Sequence, residues 1–160
     1  MSIRSTCKAI VLNEGKILLN KCHDQHNGEY YSLPGGGQET LEYLHEAIIR
    51  EVLEETGYTV IPEMFVGIGE EICTDEEIVT QWPGYIHKMY HIYRCRLDNE
   101  AEWVDPCEVD DMQDECIWID IDNLESIKLL PVMVHKNIKE LIYGDHAIFL
   151  DSVHVDHHHG

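Results

Sequence analysis

The chain is short of basic residues. It carries 11 Lys and Arg against 31 Asp and Glu, a formal charge of −20. A nucleic-acid surface needs cations that displace counterions, so this balance argues against nucleic acid as a partner. It argues equally against docking on an anionic membrane. A small polyanionic substrate would meet a repulsive field unless metal ions neutralise the site first. No apolar run approaches the roughly 20 residues needed to cross a bilayer. The first residues, MSIRSTCKAIVLNEG, lack the apolar region of a secretion signal, so the expected compartment is the cytoplasm. Paired cysteine motifs are also missing. The six cysteines include no C-x-x-C, and reduced packing residues are expected rather than disulfides. Cys22, His23 and His26 lie close together, but the four ligands of a structural zinc site are not assembled. No repeat and no linker divides the chain. The expectation is one domain over residues 1–153, followed by a histidine-rich tail at 154–160.

What is present is concentrated in residues 33–58, LPGGGQETLEYLHEAIIREVLEETGY. Thr40 is a plausible N-cap, Glu42 suits the positive end of a helix dipole, and Gly57 suits the left-handed residue that ends a helix. The spacing predicts a helix over 41–56. At about 100° per residue, Glu51, Glu54 and Glu55 share a sector about 100° wide. Leu41, Leu44, Ile48 and Val52 form an apolar stripe beside it. Like charges so placed, at the negative end of a helix, repel one another. Two readings stay open on spacing alone. One is a solvated acidic helix end. The other is a site for a hard divalent cation such as Mg²⁺, which takes carboxylate oxygens together with substrate phosphates.

These residues resemble the Nudix family. Its box reads G-x5-E-x7-R-E-U-x-E-E-x-G-U, with U a bulky aliphatic residue. The chain supplies Gly36, Glu42, Arg50, Glu51, Val52, Glu54, Glu55 and Gly57 at the required spacing, led in by Leu33-Pro34-Gly35. Tyr58 at the last U position is the one departure, and it bears on packing after the helix rather than on chemistry. The resemblance implies an α/β fold: an α/β/α sandwich around a mixed β-sheet, with the box forming a loop-helix-loop. It implies metal-dependent hydrolysis of a diphosphate linkage in a nucleoside diphosphate joined to another moiety, with Mg²⁺ or Mn²⁺ as cofactor. A nucleotide-type small molecule is the implied partner, and a homodimer is common in the family. On this resemblance Glu51, Glu54, Glu55 and the Gly36 carbonyl are metal ligands, and Arg50 orients a glutamate. A regular helix would put Glu42 roughly 12 Å from Arg50 along the axis. A pairing of the two therefore requires Glu42 to bend back or long side chains to span the gap. The general base is Glu51 or a loop carboxylate such as Glu115, with Glu108, Asp111 and Asp114 competing. The alternative is a Nudix-like domain that senses a nucleotide without cleaving it. Such domains usually have eroded box carboxylates, and here all three survive.

The substrate is less legible. The proline of the ADP-ribose type is absent, where the chain reads Ile72-Cys73-Thr74. The tyrosine of the dinucleoside polyphosphate type is missing at Asp75 and Glu76, and no coenzyme A signature is visible. Nucleoside triphosphates and nucleotide sugars are the favoured classes. Trp82 and Tyr85, in the loop 81–85, suit stacking on a base or closing the edge of the core. Strands are expected at 6–12, 16–21, 30–33, 58–72 with a break or bulge near Pro62 and Gly67, 87–97 and 116–121. A last helix begins at Pro131 and buries Val134, Ile138, Leu141 and Ile142, and a short edge strand covers 147–153. The stretch 98–115 reads as an acidic loop.

Overall fold

The computed structural model describes residues 2–108 and 111–157. It begins with a hairpin, β1 (Arg4–Asn13) and β2 (Lys16–Asp24). Glu14 and Gly15 take φ of 49° and 76° between them, the pair of positive values that a two-residue turn matched to strand twist requires. Then come β3 (Gly28–Ser32), β4 (Gly35–Gly37) and α1 (Leu44–Thr56). After the helix run β5 (Val60–Cys73), α2 (Glu76–Gln81), a 3-10 turn at Pro83–Tyr85 and β6 (His87–Leu97). The chain closes with β7 (Gln113–Asp120), a 3-10 segment at Ile121–Ser126, α3 (Val132–Lys136), α4 (Ile138–Tyr143) and β8 (Ile148–Val155).

The strands form one mixed sheet in the order β3-β2-β1-β6-β5-β8, with β4 beside β1 and β7 beside β2. β1 runs parallel to β6, and β8 parallel to β5. The β5–β6 register shifts at Pro62/Met64 and at Phe65/Gly67, where bulges were expected. Helices cover both faces, as the sandwich architecture implies. On one side α1 buries Ala47, Ile48 and Val52 against Cys7, Ala9, Val11 and Leu18. On the other, α3 and α4 bury Met133, Val134, Ile138, Leu141 and Ile142 against Ile10, Ile92 and Val66. Each fully buried aliphatic side chain contributes about 1.5–3 kcal/mol. All six cysteines are free. Among the described residues no helix is long and apolar enough to cross a membrane.

Three expectations about elements are corrected. The helix starts at Leu44, not 41, so Thr40 is no cap. Leu41 has φ 69° and is fully exposed, outside the apolar stripe. The expected last helix is two short ones that meet at Asn137. The last strand runs past 153. His154 and Val155 belong to β8, where the Val155 carbonyl accepts from the Thr74 N–H at 2.9 Å.

Candidate functional site

The sheet splits at β1. Near its end β1 pairs with β2 only at Leu12 and Asn13, while Thr6, Cys7 and Lys8 pair with the three glycines of β4. A cleft of about 380 Å³ opens at this division. Gly35 and Gly36 must be glycines for different reasons. Gly35 has φ 141°, and a Cβ there would run into the Cys7 carbonyl. A Cβ on Gly36 would lie 2.6 Å from the Glu51 carboxylate, so only glycine lets that acid approach the loop backbone.

Arg50 organises the acids. Its Nε donates to Glu42 at 2.7 Å, and its Nη2 donates to the same carboxylate at 2.9 Å and to the Gly37 carbonyl at 3.0 Å. Its Nη1 donates to Glu51 at 2.8 Å and to Glu54 at 3.2 Å. All five guanidinium donors are thereby used. Glu42 reaches Arg50 because it precedes the helix. The left-handed Leu41 and a turn from the Glu42 N–H to the Glu39 carbonyl (3.2 Å) fold it back. The Arg50 guanidinium holds the Glu42 carboxyl down at about 2.

Glu55 accepts from Asn20 Nδ2 at 2.7 Å and from the Gly35 N–H at 3.3 Å. Burial pushes its carboxyl up to about 7, against the opposing pull of Lys8 and these hydrogen bonds. Burial also raises the Glu54 carboxyl, and the Glu108 charge adds to the rise while Arg50 opposes it.

Glu51, Glu55 and the Gly36 backbone face the cleft. Glu54 does not line it, but stands beside Glu108, which does. Backbone bonds explain that neighbour. The N–H groups of Cys107 and Glu108 both donate to the Glu54 carbonyl at 3.0 Å, and Trp103 Nε1 donates to the Thr56 carbonyl at 2.9 Å. The acidic loop, whose Glu108 was among the competing candidates for the base, therefore caps the end of α1 and delivers that carboxylate to the cleft. Glu115, a candidate base, is exposed on β7 opposite Lys21 and is not among the residues that line the cleft, whereas Gln113 is. Gln113 Nε2 donates to Asn20 at 3.2 Å and to the Glu55 carbonyl at 3.3 Å. Tyr58 accepts from Trp118 Nε1 at 3.1 Å, so the departure from the box is a packing residue of this cap.

The same cleft is also lined by cations. Arg4 and Lys8 come from β1 and Lys88 from β6, three cations in a chain of low basic content. Lys8 Nζ donates to the Gly35 carbonyl at 3.2 Å. Lys88 is 4 % exposed and lies 3.8 Å from Glu71, itself 1 % exposed. Burial lowers the Lys88 ammonium to about 8, and Glu71 opposes that fall. These cations were not singled out from the sequence, because the parallel β1–β6 register that joins them leaves no local signal. The expected repulsive field is thus answered in part by the protein itself.

Tyr85 borders the same cleft. It also borders a second cavity of about 540 Å³ lined by Trp82, Ile78, Met112 and His26 among others. The Trp82 and Tyr85 rings meet edge to face at 6.4 Å.

Among the described residues no group of three or more His, Cys, Asp or Glu side chains is placed to hold a metal ion. A Mg²⁺-type ion needs no such group, since it keeps water and takes one or two carboxylates with substrate phosphates. Hard oxygen donors at Glu51, Glu55 and Gly36, in one cleft, fit such an ion.

Comparison with solved structures gives the same fold. A NUDIX hydrolase from Nitrosomonas europaea is 21 % identical, with 87 % of this chain and 88 % of that one covered and a TM-score of 0.66. The mutator MutT protein from Bacillus halodurans is 20 % identical over 96 % of this chain and 91 % of its own, with a TM-score of 0.69. An ADP-ribose pyrophosphatase from Streptococcus suis is 20 % identical over 94 % of this chain and 100 % of its own, at 0.58. No curated protein matches the chain in sequence. The NUDIX domain family matches residues 3–141, which takes in the glycine strand, α1 and the residues that line the cleft, and the chain belongs to that family.

Proposed function

We propose that this Nudix hydrolase cleaves a phosphoric anhydride in a nucleotide-type small molecule, with divalent ions held by Glu51, Glu55 and the Gly36 carbonyl and with Glu54 kept beside them by Arg50. The observation that carries the reading is one cleft lined both by oriented carboxylates and by Arg4, Lys8 and Lys88. Bound Mg²⁺ or Mn²⁺ would neutralise adjacent phosphates and lower the pKa of water. Arg50 fixes Glu51 and Glu54, and Asn20 with the Gly35 N–H fixes Glu55. Water adds its oxygen to one phosphorus, the bridging P–O bond breaks, and the bridge oxygen leaves with the electron pair. The water proton passes to a carboxylate, for which Glu108 and Glu51 are the residues in place. Lys8 faces the developing charge. The base of the nucleotide rests against Tyr85 and Trp82, where the two cavities adjoin. The activity resides in one domain, and His157 of the histidine-rich tail borders the second cavity.

The test is a phosphate-release screen over nucleoside triphosphates, nucleotide sugars, ADP-ribose and dinucleoside polyphosphates, with Mg²⁺ or Mn²⁺ and with chelator. The expected result is cleavage of one class, abolished by chelator and reduced at least about 100-fold in Glu51→Gln. Silence across the panel, with nucleotide binding still seen by thermal shift, would overturn the hydrolase in favour of a nucleotide sensor.

A further inference from the structure

Four side chains outside the Nudix box, Arg4, Thr6, Lys8 and Lys88, line the same cleft. Arg4, Thr6 and Lys8 alternate along β1, so the pleat turns all three to one face. The parallel register sets Lys88 opposite Arg4. Two cations on neighbouring strands repel, and an anion between them turns that repulsion into attraction. Thr6 supplies an independent observation. Its side chain is 5 % exposed, and its Oγ1 is buried without a hydrogen-bond partner among the described residues. A buried hydroxyl in that state costs about 1–3 kcal/mol. Thr6 lines the cleft and stands between Arg4 and Lys8 along β1, so its hydroxyl is the neutral donor of this group. Glu71, behind Lys88, favours the charged ammonium.

Position along the cleft gives the substrate's order. The Arg4 guanidinium lies 4.5 Å from the Tyr85 ring centroid, and on its other side it lies against Gly37, where an added Cβ would meet Nη2 at 2.6 Å. Arg4 therefore stands between the aromatic end and the glycine strand that backs the carboxylates.

We propose that Arg4, Thr6 and Lys88 form a phosphate seat between the aromatic pocket and the carboxylates, and that the substrate is a nucleoside triphosphate. One phosphate occupies the seat and two lie at the carboxylates. The inference rests on the assignment of the carboxylates made above. A nucleoside diphosphate joined to a neutral sugar has one phosphate fewer and leaves one of the two places unfilled.

The seat is tested with Thr6→Val, which keeps shape and removes the hydroxyl, and with Arg4→Gln. Binding of a non-cleavable α,β-methylene nucleoside triphosphate is followed by tryptophan fluorescence in chelator, where only protein groups act. Thr6→Val is expected to hold or raise the melting temperature while raising Kd about threefold or more, and Arg4→Gln to raise it about tenfold or more. With divalent ion present, the wild-type kcat/KM for a nucleoside triphosphate exceeds that for UDP-glucose, and Arg4→Gln lowers that ratio about tenfold. Equal affinities in wild type and both variants, or a wild-type preference for the nucleotide sugar, would overturn the seat. If no anhydride is cleaved but both variants still weaken analogue binding, the seat stands and the carboxylate assignment fails. If anhydrides are cleaved and the ratio does not move, the seat fails and the carboxylate assignment stands.

Discussion

Replacing Arg50 by lysine keeps the charge and removes the planar fork. The guanidinium makes five donor contacts, to Glu42 twice, to Glu51, to Glu54 and to the Gly37 carbonyl. A lysine has three donors at one point and cannot span groups on opposite sides. Hydrogen bonds to charged groups are worth about 1.5–3 kcal/mol each, and some are recovered by the ammonium or by water. The expected loss is about 2–4 kcal/mol, or roughly 5–15 °C in melting temperature for a chain of this size. A second readout isolates the Glu42 contact. The folded carboxyl is depressed from 4.5 to about 2, so it contributes stability that is fully present above pH 4.5 and is lost as pH falls toward 2. The shift sets a ceiling of about 3 kcal/mol, and solvent access lowers the realised figure to about 1–2 kcal/mol. Urea unfolding in chelator, repeated between pH 2 and pH 6, measures both quantities. Arg50→Lys should lower the midpoint at pH 6 and flatten the decline below pH 4.5. A variant within about 0.5 kcal/mol of wild type, or one with an unchanged pH slope, would refute the clasp.

Gly36→Ala places a methyl against the movable end of Glu51, so stability should stay within about 1 kcal/mol while turnover falls about 100-fold, read by thermal melt and phosphate release. Gly35→Ala meets fixed backbone at a positive φ and should cost more than about 2 kcal/mol by urea unfolding. Glu108→Gln should lower kcat at least about tenfold, while Glu115→Gln leaves it within about twofold; the opposite ranking in steady-state kinetics would restore Glu115.

The parts read well from sequence are those where residue type alone answers a physical demand. The strands followed from alternation and β-branching, and the bulges on β5 from Pro62 and Gly67. The carboxylates and Arg50 were visible because their spacing is the motif. The helix start was misread because Thr40 to Tyr43 suits a first turn by propensity, yet Arg50 draws Glu42 back and leaves Leu41 left-handed and exposed. Glu115 was favoured by its distance from Trp118. The β2–β7 register shift at Lys21/Cys22 instead puts Gln113 toward the cleft and Glu115 opposite Lys21. Glu108 reaches the site through a loop bonded to the end of α1, a contact with no periodicity to betray it. Arg4, Thr6, Lys8 and Lys88 meet across a parallel strand pair some 80 residues apart in sequence, which only topology reveals.

The most direct test of the central claim is a Mn²⁺ titration followed by electron paramagnetic resonance, in wild type, Glu51→Gln, Glu55→Gln and Glu115→Gln. Mn²⁺ reads the hard oxygen donors themselves and does not depend on the right substrate being chosen. The account predicts uptake by wild type and Glu115→Gln, with affinity at least about tenfold weaker in Glu51→Gln and Glu55→Gln. Equal uptake by all four proteins, or a loss confined to Glu115→Gln, would contradict it.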